Sequence, residues 1–370
     1  MRFRPDGLKA VAALTMAAGM AMPAINAQAQ TANSIFPAGW DSSVRSRLFM
    51  RIGYTSTFTK TKSEDARDLT GPVVTRDELF NALKSFENNP AEPSAGDVFI
   101  VGSGLYGDYY FDQSQPIGGF FGTTGITSLG TPTGVKARAQ RNVGTPTLSI
   151  GYWLDEQRKW LLEGFVLAAP MQIKIYGDGH RANGEPNSVN GRHIATTKLL
   201  PPLVVGSYNF GDKDDAVRPY VGVGVMYAVF FGAKTTSFFN DYVGGPTTIS
   251  TKNTFGAGPF VGLQGAINDD WHLNLSVGQV GLRTTSRLVT SNTNITSDSL
   301  VLKDLYATGI GGADFPETIA LGENIETGFT TKVMNYVKQN RGTPTLGTYV
   351  REQKMKITNT IVTLSVGRSF

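Results

Sequence analysis

The sequence predicts an all-β protein: an eight-stranded antiparallel up-and-down transmembrane β-barrel with long extracellular loops. Composition supports this fold, because 43 of the 370 residues are glycine and only 17% are charged, which favours strands and turns over helices. Eight segments have strand character and a length close to the roughly 9–11 residues that a tilted strand needs to cross a membrane. The connections between these segments alternate between long and short.

Residues 1–29 read as a cleaved signal peptide, and residues 30–370 as a single outer-membrane barrel. Three basic residues within the first nine precede an apolar stretch over residues 10–22. A membrane anchor is the alternative, but the apolar stretch is short and runs into Pro23 and small residues around Ala27 and Ala29. The chain has no cysteine, so disulfides are excluded and an exported protein of this kind needs a large core or a closed sheet.

Each predicted strand mixes apolar residues with small or polar ones, and several show a clear period of two. In chain order they are 47–56 (RLFMRIGYTS), 146–154 (PTLSIGYWL), 160–169 (WLLEGFVLAA), 198–210 (KLLPPLVVGSYNF), 218–231 (RPYVGVGVMYAVFF), 255–267 (FGAGPFVGLQGAI), 271–283 (WHLNLSVGQVGLR) and 356–370 (KITNTIVTLSVGRSF).

Three connections are short: DEQRK at 155–159, GDKDDAV at 211–217 and NDD at 268–270. The others are long, above all the first at about 57–143 and the last at about 284–354. Strict alternation indicates tight periplasmic turns and long external loops, whereas a Greek-key sandwich would not sort its loops in this way. A soluble exported β-protein is the alternative at the level of the fold.

The two longest loops each contain a predicted helix. Residues 75–78 (TRDE) form a capping box, followed by apolar residues on one helical face. A second helix is predicted around residues 331–339, with Gly342 as its stop. Because apolar helix faces need something to cover, we expect these loops to form an ordered cap above the barrel.

Aromatic residues lie near the short turns, where an interfacial girdle of a membrane barrel belongs. The girdle is expected to comprise Tyr152, Trp160, Tyr208, Tyr220, Trp271 and Phe370.

The run TKLLPPLVVGSYNFGDKDDAVRPYVGVGVMYAVFF at 197–231 resembles the OmpW family of outer-membrane proteins. That family has a similar Leu-Pro-Pro strand, a short turn, and a Pro-Tyr-Val-Gly-x-Gly strand ending in paired phenylalanines. Residues 145–170 and the terminal phenylalanine are similar to the same family, so the resemblance covers roughly half of the chain. It implies a Gram-negative outer membrane and a narrow apolar lumen that passes small hydrophobic molecules. The first and last loops are far larger than is usual in the family.

Side-chain parity agrees with an apolar bore, because the odd-numbered residues of 221–231 should face lipid while the even-numbered ones face inward. Gly222 and Gly224 should leave free space inside a bore hardly wider than its own side chains, which makes a poor water channel. The residues expected to line the lumen are Phe49, Arg51, Glu163, Phe165, Leu199, Leu203, Gly222, Gly224, Met226, Phe230, Phe260 and His272.

Two further features concern the wall and the inside of the barrel. Arg51 and Glu163 point inward by parity and should pair across the lower lumen, as a structural plug rather than a gate. Pro201 and Pro202 remove hydrogen-bond donors from strand four, which predicts either a local gap for lateral exit of a ligand into the outer leaflet or a tolerated bend.

No enzyme motif is apparent, and we expect no catalytic residues, cofactor or metal. The Gly222-Val-Gly224 run lacks the third glycine and the helix of a dinucleotide site. Expected partners are outer-membrane lipid and lipopolysaccharide, small hydrophobic ligands and, through Phe370, the barrel-assembly machinery, but not nucleic acid. The alternative function is a surface adhesin or receptor whose large loops bind a partner. A lipid-modifying enzyme is disfavoured by the missing His/Ser pair.

Overall fold

The computed structural model describes residues 46–70, 73–75, 77–78, 81–82, 85, 135–167, 169–180, 186–295 and 326–370. The predicted signal peptide, most of the first loop and residues 296–325 of the last loop lie outside the described residues.

Antiparallel strands dominate the described part of the chain. In order, the elements are β1 (Leu48–Ser63), β2 (Arg67–Asp68), β3 (Val135–Ala139), β4 (Asn142–Trp153), β5 (Trp160–Leu167), β6 (Met171–Gly179), β7 (His193–Leu200), β8 (Leu203–Asn209), β9 (Val217–Thr235), α1 (Ser237–Val243), β10 (Thr247–Thr251), β11 (Thr254–Ala266), β12 (Trp271–Thr290), α2 (Glu326–Arg341) and β13 (Tyr349–Ser369).

Eight of these strands close into a ring. Following the pairings, β1 joins β4, then β5, β8, β9, β11, β12 and β13, and β13 pairs again with β1. Every pair in this ring is antiparallel, and neighbours in space are neighbours in sequence apart from the closing pair. The predicted eight-stranded up-and-down barrel is therefore confirmed.

The barrel is taller than the sequence indicated, because four of the predicted strands continue after a break. β3, β7 and β10 come before breaks at residues 140–141, 201–202 and 252–253, and β6 follows a break near residues 169–170. These four short strands, with the loop-side parts of β1, β9, β12 and β13, form a second ring, which we call the upper barrel. The ring closed by β4, β5, β8 and β11 is the lower barrel.

Hydrogen bonds complete the upper barrel where regular pairing is lacking. The backbone N–H of Ala137 donates to Ser63 Oγ at 2.8 Å, which joins β3 to β1. Thr235 Oγ1 donates to the carbonyl of Thr247 at 2.8 Å, which joins β9 to β10. The first and last loops are consequently shorter than predicted, since β1 extends to Ser63, β12 to Thr290, and β13 begins at Tyr349.

The outer wall of the lower barrel is apolar. Val223 is 60% exposed, Ile52 70% and Phe255 69%, as expected for side chains that meet lipid rather than water. Trp160 and Trp271 are exposed at the short-turn end, where the girdle was predicted. Tyr220 is an exception: it is buried, and its hydroxyl donates to Asn274 inside the barrel at 3.0 Å, because even-numbered residues of β9 point inward.

The external loops form an ordered cap where they are described. The predicted capping box is present, with Thr75 N–H donating to Glu78 at 2.8 Å and Glu78 N–H to Thr75 Oγ1 at 3.2 Å. The second predicted helix is α2, which ends at Gly342 with φ +64°. In the described part of the chain, neither helix is long and apolar enough to span a membrane.

Arg341 connects the first and last external loops through hydrogen bonds. Arg341 in α2 donates two hydrogen bonds of 2.6 and 2.7 Å to the Glu78 carboxylate, and a third of 3.0 Å to the Val73 carbonyl. Burial acts to raise the pKa of Glu78, but the hydrogen bonds from Arg341 and Thr75 outweigh it and lower that pKa. The Glu78 hydrogen bond in turn raises the pKa of Arg341.

Candidate functional site

The inside of the lower barrel is closed by a polar network. The Arg51 guanidinium bonds to Glu163 at 2.5 Å, to Gln264 at 3.1 Å and to His272 Nε2 at 2.9 Å, and Ser149 donates to the other Glu163 oxygen at 2.6 Å. We call these five residues the polar floor. The predicted Arg51–Glu163 pair is therefore present, and with side-chain exposures of 1% and 4% it is shielded from water.

Close packing supports the floor. The Arg51 guanidinium lies 4.2 Å from the centre of the Phe49 ring, and the same ring meets His272 edge-on at 5.1 Å. Gly367 makes room for this arrangement, because an added Cβ would come within 2.4 Å of the His272 ring and 2.5 Å of the Arg51 side chain. The floor thus occupies the cross-section of a barrel whose eight strands leave little more than side-chain space.

Above the floor the lumen changes from polar to apolar. Thr55 shares hydrogen bonds with Thr147 at 2.7 Å and with Thr363 at 2.9 Å. Further toward the loops, large apolar side chains pack into one cluster with less than 10% exposure each. This apolar belt includes Phe165, Leu203, Val205, Met226, Phe260, Val280 and Ile361.

The glycines of β9 do not leave the free space that the sequence suggested. The Phe260 ring lies over Gly224 and over Gly278 of the opposite neighbour strand, so that an added Cβ at either glycine would come within 2.3 Å of the ring. Gly222 is similarly covered by Ser207. Gly224 and Gly278 leave room for the Phe260 ring, and a side chain at either glycine would displace that ring.

An apolar cavity lies above the belt, inside the upper barrel. It encloses about 1320 Å³ of empty space, a volume that includes its opening to solvent. Its walls combine aliphatic residues and threonines from all eight strands of the upper ring. Representative lining residues are Thr57, Ala137, Ile173, Leu199, Phe230, Leu288 and Ile357.

β13 contributes an arginine and a glutamine to the wall of the cavity. Arg351 reaches Asp68 at 2.9 Å, and both side chains are largely buried. Gln353 donates to the carbonyls of Glu64 and Val135 at 3.0 and 3.1 Å. Together with the threonines of the other strands, these groups place a few polar side chains in a largely apolar chamber, an arrangement typical of ligand pockets.

The wall beside the cavity contains an interrupted seam. Pairing between β5 and β8 ends at Phe165 and Leu203, and pairing between β6 and β7 begins at Met171 and Leu199. Between these points no described residue of 166–170 pairs with residues 200–202. Pro201 and Pro202 lie at this break, between the end of β7 and the start of β8.

The structure divides the predicted lumen residues into four groups. Arg51, Glu163, His272 and Phe49 belong to the floor or support it, while Phe165, Leu203, Met226 and Phe260 form part of the belt. Leu199 and Phe230 line the cavity. Gly222 and Gly224 lie on the inward face of β9, beneath neighbouring side chains.

Sequence reasoning missed most of the cavity lining, because it assigned β3 and β6 to loops. A signal was nevertheless available. The five residues VKARA of β3 and the six residues MQIKIY of β6 alternate largely between inward and outward positions. Their outward residues are charged or polar rather than apolar, so a search for lipid-facing strands does not detect them.

No metal centre is evident in the part of the chain that the structure describes, where no three His, Asp or Glu side chains are grouped as ligands. His193 contacts the Ala195 carbonyl and Thr196 Oγ1, both at 2.9 Å, and His272 belongs to the floor.

The closed ring, its lipid-facing wall and its plugged interior define an outer-membrane β-barrel. The sequence profile of the OmpW family matches residues 121–310, just over half of the chain. Outer membrane protein W of Vibrio cholerae is 30% identical over 193 residues, which cover 51% of this chain and 75% of that protein. This chain therefore belongs to the OmpW family of Gram-negative outer-membrane proteins.

Other relatives match over shorter stretches. Outer membrane protein W of Escherichia coli is 37% identical over 121 residues, or 32% of this chain, so the chain spans half the length of that relative. Among solved structures, the outer membrane protein OprG from Pseudomonas aeruginosa aligns over 88% of this chain and 97% of its own, with 14% identity and a TM-score of 0.47.

Proposed function

We propose that this protein takes small hydrophobic molecules from the outside into the cavity of the upper barrel and releases them sideways into the outer leaflet. The observation that carries the proposal is the contrast along the lumen. The largely apolar cavity of the upper barrel ends on a packed belt and a hydrogen-bonded floor, so a straight path to the periplasm would have to break a buried ion pair.

The interrupted seam supports a lateral route. Met171 and Leu199 line the cavity and also flank the break in pairing, so the cavity reaches this break in the wall. At the break Pro201 and Pro202 have no N–H to donate, and no ladder of backbone bonds has to be opened there. A hydrophobic ligand passing between the strands would meet lipid directly.

Binding to the cavity can be tested with an environment-sensitive naphthylamine dye and the purified barrel in neutral detergent. Ala137→Phe adds a ring inside the cavity, while Val223→Phe adds the same kind of ring on the lipid-facing wall as a matched control. We expect the first variant to weaken dye binding by about tenfold or more and the control to leave it unchanged. Equal binding by both variants would exclude the cavity as the binding site.

The exit route needs a separate measurement. In proteoliposomes, Pro201→Val combined with Pro202→Thr restores two backbone donors at the seam. We expect this variant to bind the dye normally but to deliver it more slowly to the surrounding lipid. Unchanged delivery would contradict lateral exit while leaving cavity binding intact. A protein that delivers no dye to lipid, either with or without residues of the first and last loops, would favour the adhesin or receptor alternative.

We infer that the barrel catalyses no reaction. Its relatives are named as outer-membrane proteins. His193 contacts a backbone carbonyl and Thr196, and His272 is bound to Arg51 in the polar floor. Incubation of the purified barrel with phospholipid and lipopolysaccharide should leave both lipids intact by mass spectrometry, and any new lipid species would overturn the inference.

A further inference from the structure

A row of positive charges crosses the outer wall on the β1–β13–β12 side. In the strand register Lys62 of β1 lies directly opposite Lys356 of β13, and Lys356 lies directly opposite Arg283 of β12. All three side chains are exposed, and they point outward because Leu282 and Ile357, their neighbours in sequence, line the internal cavity. We call these three residues the cationic row.

Two more cations extend the row into a groove. Lys354 lies on β13 two residues above Lys356, and Lys252 lies on the connection between β10 and β11. Among the described residues of this groove the one acidic side chain is Glu64. Within the described part of the chain, none of the five cations has an ion-pair partner.

Such a row is unfavourable for the isolated protein. Like charges directly opposite one another on neighbouring strands destabilise a sheet, and here two such pairs share Lys356. The arrangement becomes favourable when an anion lies across the row, because each cation then gains a charge-assisted hydrogen bond.

The height of the row identifies the anion. Along β13 the row residue Lys356 and the short-turn residue Arg368 enclose residues 357–367, whose outward side chains carry no charge. That length matches the roughly 9–11 residues of a tilted strand that cross a membrane. Lys356 therefore lies at the upper edge of the apolar band, on the side of the long loops, where the headgroups of the outer leaflet begin.

We propose that the cationic row binds the phosphate groups of lipopolysaccharide in the outer leaflet and fixes one such lipid against the β1–β13–β12 wall. The acyl chains of that lipid lie over the apolar surface below the row, which includes Phe58, Val277 and Leu364. This site is separate from the internal cavity, and it does not depend on transport.

The probe is bisphosphorylated lipid A, added to the full-length barrel in neutral detergent with EDTA, so that divalent cations cannot bridge phosphates. Native mass spectrometry measures the fraction of barrels that retain one lipid. The row variant is Lys62→Gln/Arg283→Gln/Lys356→Gln. The matched control, Lys174→Gln/Lys198→Gln/Lys234→Gln, removes three exposed cations from the opposite wall, where none of the three lies opposite another cation.

We expect the row variant to retain lipid A about tenfold less well and the control to stay within about twofold of the original protein. Dephosphorylated lipid A should bind the original protein as weakly as lipid A binds the row variant, and equimolar inorganic phosphate should not displace lipid A. Equal losses in both variants would indicate diffuse attraction and overturn the site. Equal retention of the two lipids, or displacement by free phosphate, would overturn the assignment to a lipid phosphate.

A stability measurement shows whether the row variant is folded. In detergent without lipid, its heat-modifiable migration should persist to at least the temperature of the original protein, because the substitutions remove repulsion. A row variant that is less stable without lipid would contradict the account of the row as unfavourable by itself.

Discussion

The lower and upper halves of this barrel use the same strands for opposite purposes. The lower barrel is filled by the polar floor and the packed side chains Phe49, Trp153 and Leu161, none of which is more than 3% exposed. The upper barrel, built on the continuations of the same strands, surrounds an apolar cavity with about 1320 Å³ of empty space, counted together with its opening to solvent. Closure of the ring alone therefore does not decide whether a barrel has an interior space; the side chains at each level do.

The largest effect should come from breaking the floor. Glu163→Leu leaves Arg51 buried without its counter-charge, and we expect it to lower the free energy of unfolding by about 3–5 kcal/mol. Urea unfolding in detergent measures the loss. The double variant Arg51→Met/Glu163→Leu removes both charges and should recover most of it. If the double variant were as unstable as the single one, the floor would act through something other than the ion pair.

The apolar belt should come next. Phe260→Ala removes a ring that is 3% exposed and packs on two glycines, so we expect a loss of about 3 kcal/mol or more. The floor beneath remains intact, so ion conductance across a planar bilayer should stay unchanged. A conducting Phe260→Ala barrel would show that the floor does not seal the lumen.

A matched pair of leucines compares the two halves directly. Leu161→Ala in the lower barrel should cost about 2–4 kcal/mol, because its neighbours cannot collapse around the void. Leu288→Ala enlarges a space that already exists in the upper barrel and should cost about 1 kcal/mol. Equal losses in urea unfolding would mean that the cavity is as closely packed as the floor.

The smallest effect concerns the cap. Because the folded pKa of Glu78 lies below its ordinary value of 4.5, the Arg341–Glu78 contact stabilises the cap fully above that value. Its contribution is lost as the pH falls through the lowered pKa. Hydrogen exchange in residues 334–349, corrected for intrinsic rates, should therefore accelerate in acid but not on moving from neutral to mildly acidic pH.

Two substitutions sharpen the measurement on the cap. Glu78→Gln should exchange faster already at neutral pH and lose much of the acid dependence. Glu156→Gln removes a carboxylate from the exposed Arg47–Glu156 pair at the short turns and should leave exchange in the cap unaltered. Acid dependence that survives in Glu78→Gln would point to a different titrating group.

Prediction from sequence worked best where residues alternate between lipid and lumen. The lower parts of all eight strands, the inward positions of Arg51 and Glu163, and the capping box before Glu78 follow from local pattern. The parts of the strands above the membrane edge were not predicted. Above that level the outward residues of β3 and β6 are charged or polar, so the signal for a lipid-facing strand disappears although the strand continues.

The sequence by itself determined the lower parts of the eight strands, their order and the side that most of their residues face, because a period of two and the length of each connection are local properties. Only the tertiary structure decided what the inside contains. Phe260 fills the space above Gly224, the breaks near Pro170 and Pro201 adjoin in one seam, and Lys62, Lys356 and Arg283 form one row. Each of these depends on the register between strands that are distant in sequence, and closure of the ring sets that register.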